Sequence, residues 1–165
     1  MLLIIFAPRD KAFIAPSGVQ KERILSEHIF VLPYPQSEAP TAATASTRTF
    51  LRKPTIPLKE SACTPLFWAA FDLRDAGACI HTHSQHAVMA TLLWPGKEWK
   101  ISGLEMIKGV RWGGVRNTMS YLDELVIPII ENTPDEEDLR DTMADVSKSR
   151  RKACHKNLHM FLCRL

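Results

Sequence analysis

The sequence lacks two features that would place the chain in a membrane or in an oxidising compartment. None of its apolar runs approaches the roughly 20 residues that a helix needs to span a bilayer. Residues 1–7 are apolar, but this run is shorter than the core of a signal peptide and no basic residue precedes it. We therefore expect a cytoplasmic protein with no membrane partner. The cysteines form no CxxC pair, so we expect reduced thiols at Cys63, Cys79, Cys154 and Cys163.

The sequence also lacks an excess of basic residues outside positions 147–165. The 165 residues include 21 Lys or Arg and 18 Asp or Glu, which gives a formal net charge of +3. Positions 147–165 hold six of the basic side chains and no acidic one, so the remainder holds 15 basic and 18 acidic side chains. A nucleic-acid-binding core needs clustered Lys and Arg, so we expect no nucleic-acid partner. The length and the 45% hydrophobic content predict one globular domain.

The first third of the chain predicts short strands followed by a long loop. Apolar runs at residues 2–7 and 12–15 predict the two strands of a hairpin, and residues 29–32 predict a further strand. Residues 33–60 are rich in Pro, Ser, Thr and Ala and show little hydrophobic periodicity. We therefore predict that residues 33–60 form a long loop.

The middle of the chain carries the clearest helix signals. Thr64 is a good N-cap and Pro65 suits a first helical turn, so a helix is predicted from there to a stop at Gly77. Residues 78–83 predict a short buried strand, and Ser84 can cap a second helix that extends to about residue 93.

The last third predicts one more strand and one more helix. The apolar run at residues 125–130 contains Pro128, which predicts an edge position or a bulge in the sheet. A final helix is predicted to open at Thr133 and Pro134, with acidic residues near its positive end. The whole order predicts an α/β fold in which helices cover a mixed or antiparallel sheet.

The most specific chemical feature is the His81-Thr82-His83 sequence. Alternate side chains of a strand point to the same face, so the two imidazoles can converge on one metal ion. Imidazole nitrogens bind zinc at about 2.0–2.1 Å. The alternative is a pair of partly buried histidines that are satisfied by hydrogen bonds, and the spacing by itself leaves both interpretations open.

Further positions have a chemical and a plainer interpretation. Glu105 lies among apolar neighbours, where burial would suit it to proton transfer, but a solvated or ion-paired carboxylate is the plainer case. Ser17 and Gly18 offer a hydroxyl and backbone N–H groups to an anion, although such turns are common. Cys63 precedes a predicted helix N-terminus, which favours a thiolate, and a structural thiol is the alternative. We expect His86 to be a surface or packing residue.

Several strings, taken together, are more specific than any one motif. They are FIAPSGVQKERI at residues 13–24, CTPLF at 63–67, AGACIHTHS at 76–84, AVMATLL at 87–93, EMIKG at 105–109 and VIPIIENTP at 126–134. In this order and spacing they resemble the methylthioribulose-1-phosphate dehydratases, which form part of the wider class II aldolase and adducin family. The likeness extends over residues 10–146.

The resemblance implies a lyase that removes water from 5-methylthioribulose 1-phosphate in methionine salvage, giving 2,3-diketo-5-methylthiopentyl 1-phosphate. It implies a class II aldolase-like α/β/α sandwich, a homotetramer and one zinc ion per subunit. The site residues that it implies are His81 and His83 for zinc, Glu105 for proton transfer, Cys63 for the pocket wall, and Ser17 and Gly18 for the substrate phosphate.

Two parts of the family pattern are missing from this sequence. Relatives carry a glycine-rich loop upstream of the first string, whereas no glycine precedes Phe13 here. Relatives also supply a third zinc histidine after the helix near Pro134, where this chain has a divergent basic tail at residues 147–165. We therefore expect a partial class II aldolase-like domain over residues 1–146, in a chain truncated at both ends relative to the family.

The tail contains residues that could replace the missing zinc ligand. On a helix, His155 and His159 would share a face, as would His159 and Cys163, while Cys154 lies beside the first of them. The alternative is a tail unrelated to the family, and this is the interpretation that we expect.

Two other functions stay open beside the dehydratase. Animal members of the family are also described as binding an apoptosis scaffold protein and restraining cell death, so a catalytically impaired chain could act as an interaction protein. A different class II aldolase-type sugar-phosphate lyase, such as a retro-aldol enzyme, is the other alternative. The FIAPSGVQKERI and CTPLF strings favour the dehydratase over the aldolases.

Overall fold

A computed structural model of the chain describes residues 2–6, 10–36, 40, 44, 47–110, 118–149 and 162–164. The strands of these ranges are β1 (Leu2–Phe6), β2 (Lys11–Ile14), β3 (Pro16–Ser17), β4 (Phe30–Pro33), β5 (Lys59–Glu60), β6 (Ala78–Thr82), β7 (Glu98–Ile101), β8 (Leu125–Glu131) and β9 (Leu162–Arg164). The helices are α1 (Thr64–Arg74), α2 (Gln85–Leu93) and α3 (Leu139–Ser149). This mixture of helices and strands confirms the α/β class. The described strands form three sheets, and the three-layer sandwich stays a prediction.

The largest sheet is antiparallel and has the strand order β4-β2-β1-β6. The predicted hairpin is confirmed, because β1 pairs with β2 through Phe6 and Phe13. Alternation along β2 buries Ala12 and Ile14 on one face, as expected for a strand with one side on the core. The strand predicted at residues 29–32 is also confirmed as β4, shifted by one residue.

Helix α1 covers the buried face of this sheet. Trp68, Phe67 and Phe71 are among its largest fully buried side chains, and they pack with Ile14 and Leu32 of the sheet. The rings of Trp68 and Phe71 meet edge to face with centroids 6.1 Å apart, a geometry that aromatic pairs favour. The aromatic layer is the centre of the main core.

The ends of α1 differ from the prediction by one or two residues. Cys63 is the N-cap, whereas the predicted cap, Thr64, is the first helical residue and its Oγ1 donates to the Ser61 carbonyl at 2.7 Å. The helix stops where Asp75 adopts a left-handed conformation with φ 52°, before the predicted stop at Gly77. Aspartate tolerates this region because its short polar side chain can bond locally.

The prediction that residues 78–83 form a buried strand is wrong. Strand β6 forms at these positions, but Ile80 is 60% exposed and only the face that carries Cys79 and His81 is partly covered. The reason is position, because β6 is the end strand of the four-stranded sheet and pairs only with β1 among the described strands.

Helix α2 and the third sheet follow β6. The predicted cap of α2 is confirmed, since the Ser84 side chain accepts a hydrogen bond from the Ala87 N–H at 3.4 Å. The third sheet has the order β7-β8-β9, so β8 is central and the predicted edge position is wrong. The Ile129 N–H donates to the Lys97 carbonyl on the β7 side. Because successive backbone nitrogens of a strand point to opposite sides, the nitrogen of Pro128, which carries no hydrogen, faces β9. The described pairing with β9 begins only at Ile129, which accommodates the proline.

Helix α3 starts later than predicted. A 3-10 turn at Glu136–Asp138 precedes it, and Asp135 is still extended with φ −111° and ψ 135°. Helix α3 then packs on α1, where the Arg74 guanidinium donates to the Ser147 carbonyl at 3.3 Å. The tail positions Cys154, His155 and His159 lie outside the described residues, and of Cys163 only the backbone in β9 is described.

The loop predicted at residues 33–60 has little regular structure where it is described. Apart from β5 and the last residue of β4, its described residues form only the isolated bridge between Val31 and Arg52. No helix in the described part of the chain has the length and apolar character needed to cross a membrane.

We expect Phe71→Ala to lower the free energy of unfolding by about 3–5 kcal/mol, because it removes a ring that is 1% exposed and leaves a cavity beside Trp68. Urea unfolding followed by tryptophan fluorescence measures the change. Met106→Ala is the control, since Met106 is 83% exposed and its loss should cost less than about 0.5 kcal/mol. Equal effects of the two substitutions would contradict the assigned core.

Candidate functional site

An open pocket of about 330 Å³ lies where β3, the turn before α1, the end of β6 and the turn before α3 meet. Five of the six predicted site residues line it. They are Ser17, Gly18, Cys63, His81 and His83. The fold therefore brings three separate parts of the sequence, near residues 17, 63 and 82, to one cavity. Glu105 is not among the lining residues.

The two histidines converge within this pocket. His81 lies on β6 and His83 lies just beyond its end, and their Nε2 atoms are 2.9 Å apart. Two nitrogens bound to one tetrahedral zinc ion at the usual bond length would be about 3.3 Å apart. A small spreading of the rings would therefore place both nitrogens at bonding distance from one ion, so the pair fits two positions of a metal site.

The surroundings favour the neutral form of one imidazole. Burial lowers the pKa of His81, and the neighbouring His83 lowers it further. A neutral imidazole keeps a ring nitrogen lone pair available, which is what a metal ligand requires. In the part of the chain that is described, however, no group of three His, Cys, Asp or Glu side chains could hold an ion. His81 and His83 are therefore the two candidate ligands within the described residues.

The Ser17-Gly18 turn is held in place by a short sheet. Ser17 of β3 pairs with Lys59 of β5, and the Ser61 N–H donates to the Ala15 carbonyl at 3.1 Å. Gly18 has φ 74°, a left-handed conformation in which a side chain would be strained. Glycine therefore permits the chain to turn at the rim of the pocket.

A buried ion pair supports the same short sheet. The Arg48 guanidinium donates to Glu60, the β5 residue that pairs with Pro16. The side chain of Arg48 is 3% exposed and that of Glu60 is 16% exposed. Removal of one partner of such a pair would leave the other charge buried without a counter-ion, which costs about 3–5 kcal/mol. The pair links the loop at residue 48 to the strand that positions the turn.

Cys63 forms the junction between the pocket wall and α1. It is 6% exposed, its N–H donates to the Ser61 Oγ at 3.2 Å, and its carbonyl accepts the N–H groups of Leu66 and Phe67. The thiol is buried within the core cluster at the edge of the pocket. The structure thus gives Cys63 a structural position in addition to the predicted lining position.

Glu105 differs most from the chemical interpretation of the sequence. Its side chain is 74% exposed, and its carboxylate accepts a hydrogen bond from Lys108 at 2.8 Å. The plainer interpretation, an ion-paired solvated carboxylate, is therefore the one that the structure shows. The neighbouring Met106 is exposed and Ile107 alone of this turn is buried, so apolar neighbours in the sequence did not mean an apolar surrounding. His86 is exposed, as expected.

Two charged residues of the pocket were not selected from the sequence. Lys21 and Glu136 both line the cavity. Lys21 is four residues beyond Ser17 in the FIAPSGVQKERI string, and this closeness to Ser17 was the signal that could have identified it. Glu136 was interpreted only as an acid near the start of a helix. Its nearness to the histidines depends on how α3 packs on α1, which local sequence does not reveal.

Comparisons with known proteins support the resemblance. A profile of the class II aldolase and adducin N-terminal domain matches residues 4–160. The methylthioribulose-1-phosphate dehydratase of Laccaria bicolor is 71% identical over 136 residues, which are 82% of this chain and 56% of that protein. The methylthioribulose-1-phosphate dehydratase of Coprinopsis cinerea is 68% identical over 136 residues, which are 82% of this chain and 55% of that protein. The methylthioribulose-1-phosphate dehydratase of Homo sapiens is 48% identical over 145 residues, which are 88% of this chain and 56% of that protein. The chain spans about half the length of the curated relatives it matches.

We expect Cys79 to react slowly with iodoacetamide near neutral pH. Burial raises the pKa of this thiol to about 11, and the nearby Cys63 contributes, so at pH 8 only about one thiol in a thousand is ionised. The labelling rate should rise about tenfold per pH unit from pH 7.5 to 9.5. Peptide-resolved mass spectrometry measures it, with the urea-unfolded chain as control. A rate that levels off by pH 9 would contradict the shift.

Proposed function

We propose, because the chain belongs to the class II aldolase and adducin family, that its pocket serves the dehydration of 5-methylthioribulose 1-phosphate to 2,3-diketo-5-methylthiopentyl 1-phosphate. The observation that carries the proposal is the convergence of the His81 and His83 Nε2 atoms in the same cavity as Ser17, Gly18 and Cys63. These are the residues that the dehydratase-like strings supply. The curated relatives named above are similar over most of this chain.

His81 and His83 would hold a zinc ion. When bound, zinc supplies a Lewis acid that polarises carbonyl and hydroxyl oxygens. The contribution of the chain is to aim two imidazoles from one strand end at a single point, with His81 favoured in its neutral form. A site built from these two protein ligands would bind metal more weakly than a catalytic site with three.

The other pocket residues would bind and orient the substrate. The Ser17 hydroxyl and the backbone at Gly18 lie at the rim, where they would hold the phosphate by hydrogen bonds. Cys63 and the short turn before α1 form the wall beside the histidines. The substrate would thus lie with its phosphate at the Ser17-Gly18 turn and its carbonyl and C3 hydroxyl near the imidazoles.

Dehydration requires a group that takes the C3 proton and helps the C4 hydroxyl leave as water. We assign this role to Glu105, on the likeness of EMIKG to the family string. Glu105 is exposed, paired with Lys108 and outside the lining of the pocket, so it would have to approach once the substrate binds. Catalytic contacts are often long in ligand-free structures and tighten in the complex. Glu136 is the carboxylate that already lines the pocket, and it is the competitor for the role.

The proposal extends to the finer properties that the resemblance implies. We propose a homotetramer with an α/β/α sandwich in each subunit. Large apolar side chains on and after α2, among them Leu92, Leu93 and Trp94, are exposed in the isolated chain and are of the kind that subunit contacts bury.

A second candidate function is an interaction protein without catalytic activity. It is favoured by one observation, namely that Glu105 is exposed and lies outside the lining of the pocket. An apoptosis scaffold protein is the partner that the resemblance implies. Turnover of methylthioribulose 1-phosphate by the purified chain separates this candidate from the enzyme.

We expect His81→Ala and His83→Ala each to weaken zinc binding by more than about tenfold, because each removes one of two converging nitrogen ligands. Metal content after dialysis at neutral pH, with competition by a chelator, measures the loss. His86→Ala is the matched control, since His86 is exposed and does not line the pocket. Equal loss of zinc binding in all three variants, or no loss in any of them, would contradict the assignment of His81 and His83 as zinc ligands.

We expect Glu105→Gln to lower kcat by about 10²–10⁴-fold while zinc content is kept, because a proton-transfer group contributes about that much. Glu136→Gln is the comparison, and it should change kcat less than tenfold. Diketone formation at saturating substrate measures both. Should Glu136→Gln lose activity while Glu105→Gln keeps it, the proton-carrying role passes to Glu136.

A further inference from the structure

We propose that Lys21 is the cation that recognises a phosphate monoester in this pocket. The inference rests on the proposed function for the identity of the sugar that carries the phosphate. Recognition of the phosphate by Lys21 can nevertheless be tested by binding measurements that need no turnover. Lys21 lines the cavity together with Ser17, Gly18 and the two histidines. It adds a positive charge to a pocket in which the Ser17-Gly18 turn supplies only neutral donors.

The local geometry points the Lys21 ammonium back across the turn. Lys21 begins a 3-10 turn that extends to Arg23, and its Nζ atom donates to the Pro16 carbonyl at 3.4 Å. Pro16 directly precedes Ser17, so the ammonium lies beside the backbone that carries the predicted phosphate-binding hydroxyl. The side chain is half-buried, which limits the volume that the charged group can sample.

Lys21 still has hydrogen-bonding capacity in this position. An ammonium has three N–H donors, and one of them is used by the Pro16 carbonyl. Within the described ranges no carboxylate forms an ion pair with Lys21. A partly desolvated cation without a carboxylate partner is well matched to a dianionic phosphate, to which lysine binds as a point charge.

The pocket carries charges of both signs. Lys21 follows the Ser17-Gly18 turn, Glu136 precedes α3, and both lie near His81. A phosphate held by Lys21 and the turn would leave the sugar oxygens within reach of the imidazoles. The volume of about 330 Å³ is at the lower end of the usual range for small-ligand sites, so a pentose phosphate would fill much of the pocket.

This arrangement predicts an effect on binding rather than on the chemical step. The phosphate does not react in a dehydration between C3 and C4, so its contact with Lys21 is the same in the ground state and the transition state. Removal of such uniform binding raises KM and leaves kcat nearly unchanged. A residue that served only to maintain the fold would lower zinc content and thermal stability as well.

The test compares Lys21→Met with Lys59→Met. Lys59 is opposite Ser17 in the β3–β5 pair but does not line the pocket, so it is the matched control for a nearby lysine. We expect Lys21→Met to weaken binding of inorganic phosphate by about 10- to 100-fold, as removal of one charge-assisted hydrogen bond should. Lys59→Met should leave it within about twofold. Titration calorimetry on the zinc-loaded full chain measures the affinities, and thermal unfolding checks that both variants fold.

Kinetics with methylthioribulose 1-phosphate form the second arm. Lys21→Met should raise KM at least tenfold with kcat within about threefold of the original chain, and Lys21→Arg should restore part of the affinity because it keeps the charge. Selective loss of phosphate binding in Lys21→Met supports the role even where no variant turns over substrate, in which case only the dehydratase assignment fails. Unchanged phosphate affinity in Lys21→Met, or no phosphate binding by the original chain, overturns it.

Discussion

The candidate site depends on the extended backbone at the end of strand β6, which directs every second side chain to the same face. Because side chains alternate along an extended backbone, His81 and His83 can reach the same point only while residues 81–83 stay extended. Two local features hold them so. The pairing of β6 with β1 fixes the strand through His81 and Thr82, and the extended Ser84 caps α2, so the chain turns into a helix only after His83. A helix that included His83 itself would turn the second imidazole away.

The main core fixes the opposite side of the pocket. The aromatic layer of α1 anchors Cys63 at the helix N-terminus, and the short turn before it joins β5, which pairs with β3. The Ser17-Gly18 turn is therefore tied to the same core as the histidines, through a chain of backbone hydrogen bonds and the Arg48–Glu60 pair. Rigid support of this kind is what a binding site needs, because a loss of about 1 Å in position removes much of its selectivity.

The features that could be predicted from the sequence were those that short stretches determine. The β1–β2 hairpin, helix α1, the Ser84 cap and the convergence allowed by HxH all follow from a few adjacent residues. Features that depend on contacts between segments far apart in the sequence were missed. Pro128 can lie in the central strand β8 because its nitrogen faces β9, and the described pairing with β9 begins only at the next residue, Ile129. Strand β7 was not predicted, and Lys21 and Glu136 enter the pocket only through tertiary packing.

Glu105 shows how this limit bears on chemistry. Its turn packs through Ile107 on Val110 and Met119, a small cluster separate from the aromatic core that fixes the histidines. Strand β8 joins the two, since Ile130 belongs to the main core and Leu125 packs on the small cluster. Proton transfer needs the carboxylate and the substrate held in one frame to within fractions of an ångström. Glu136 lines the same pocket as the histidines, whereas Glu105 does not. Whether Glu105 could serve the proposed reaction therefore depends on how the third sheet is positioned relative to the main core, since that position sets the distance between its carboxylate and the imidazoles.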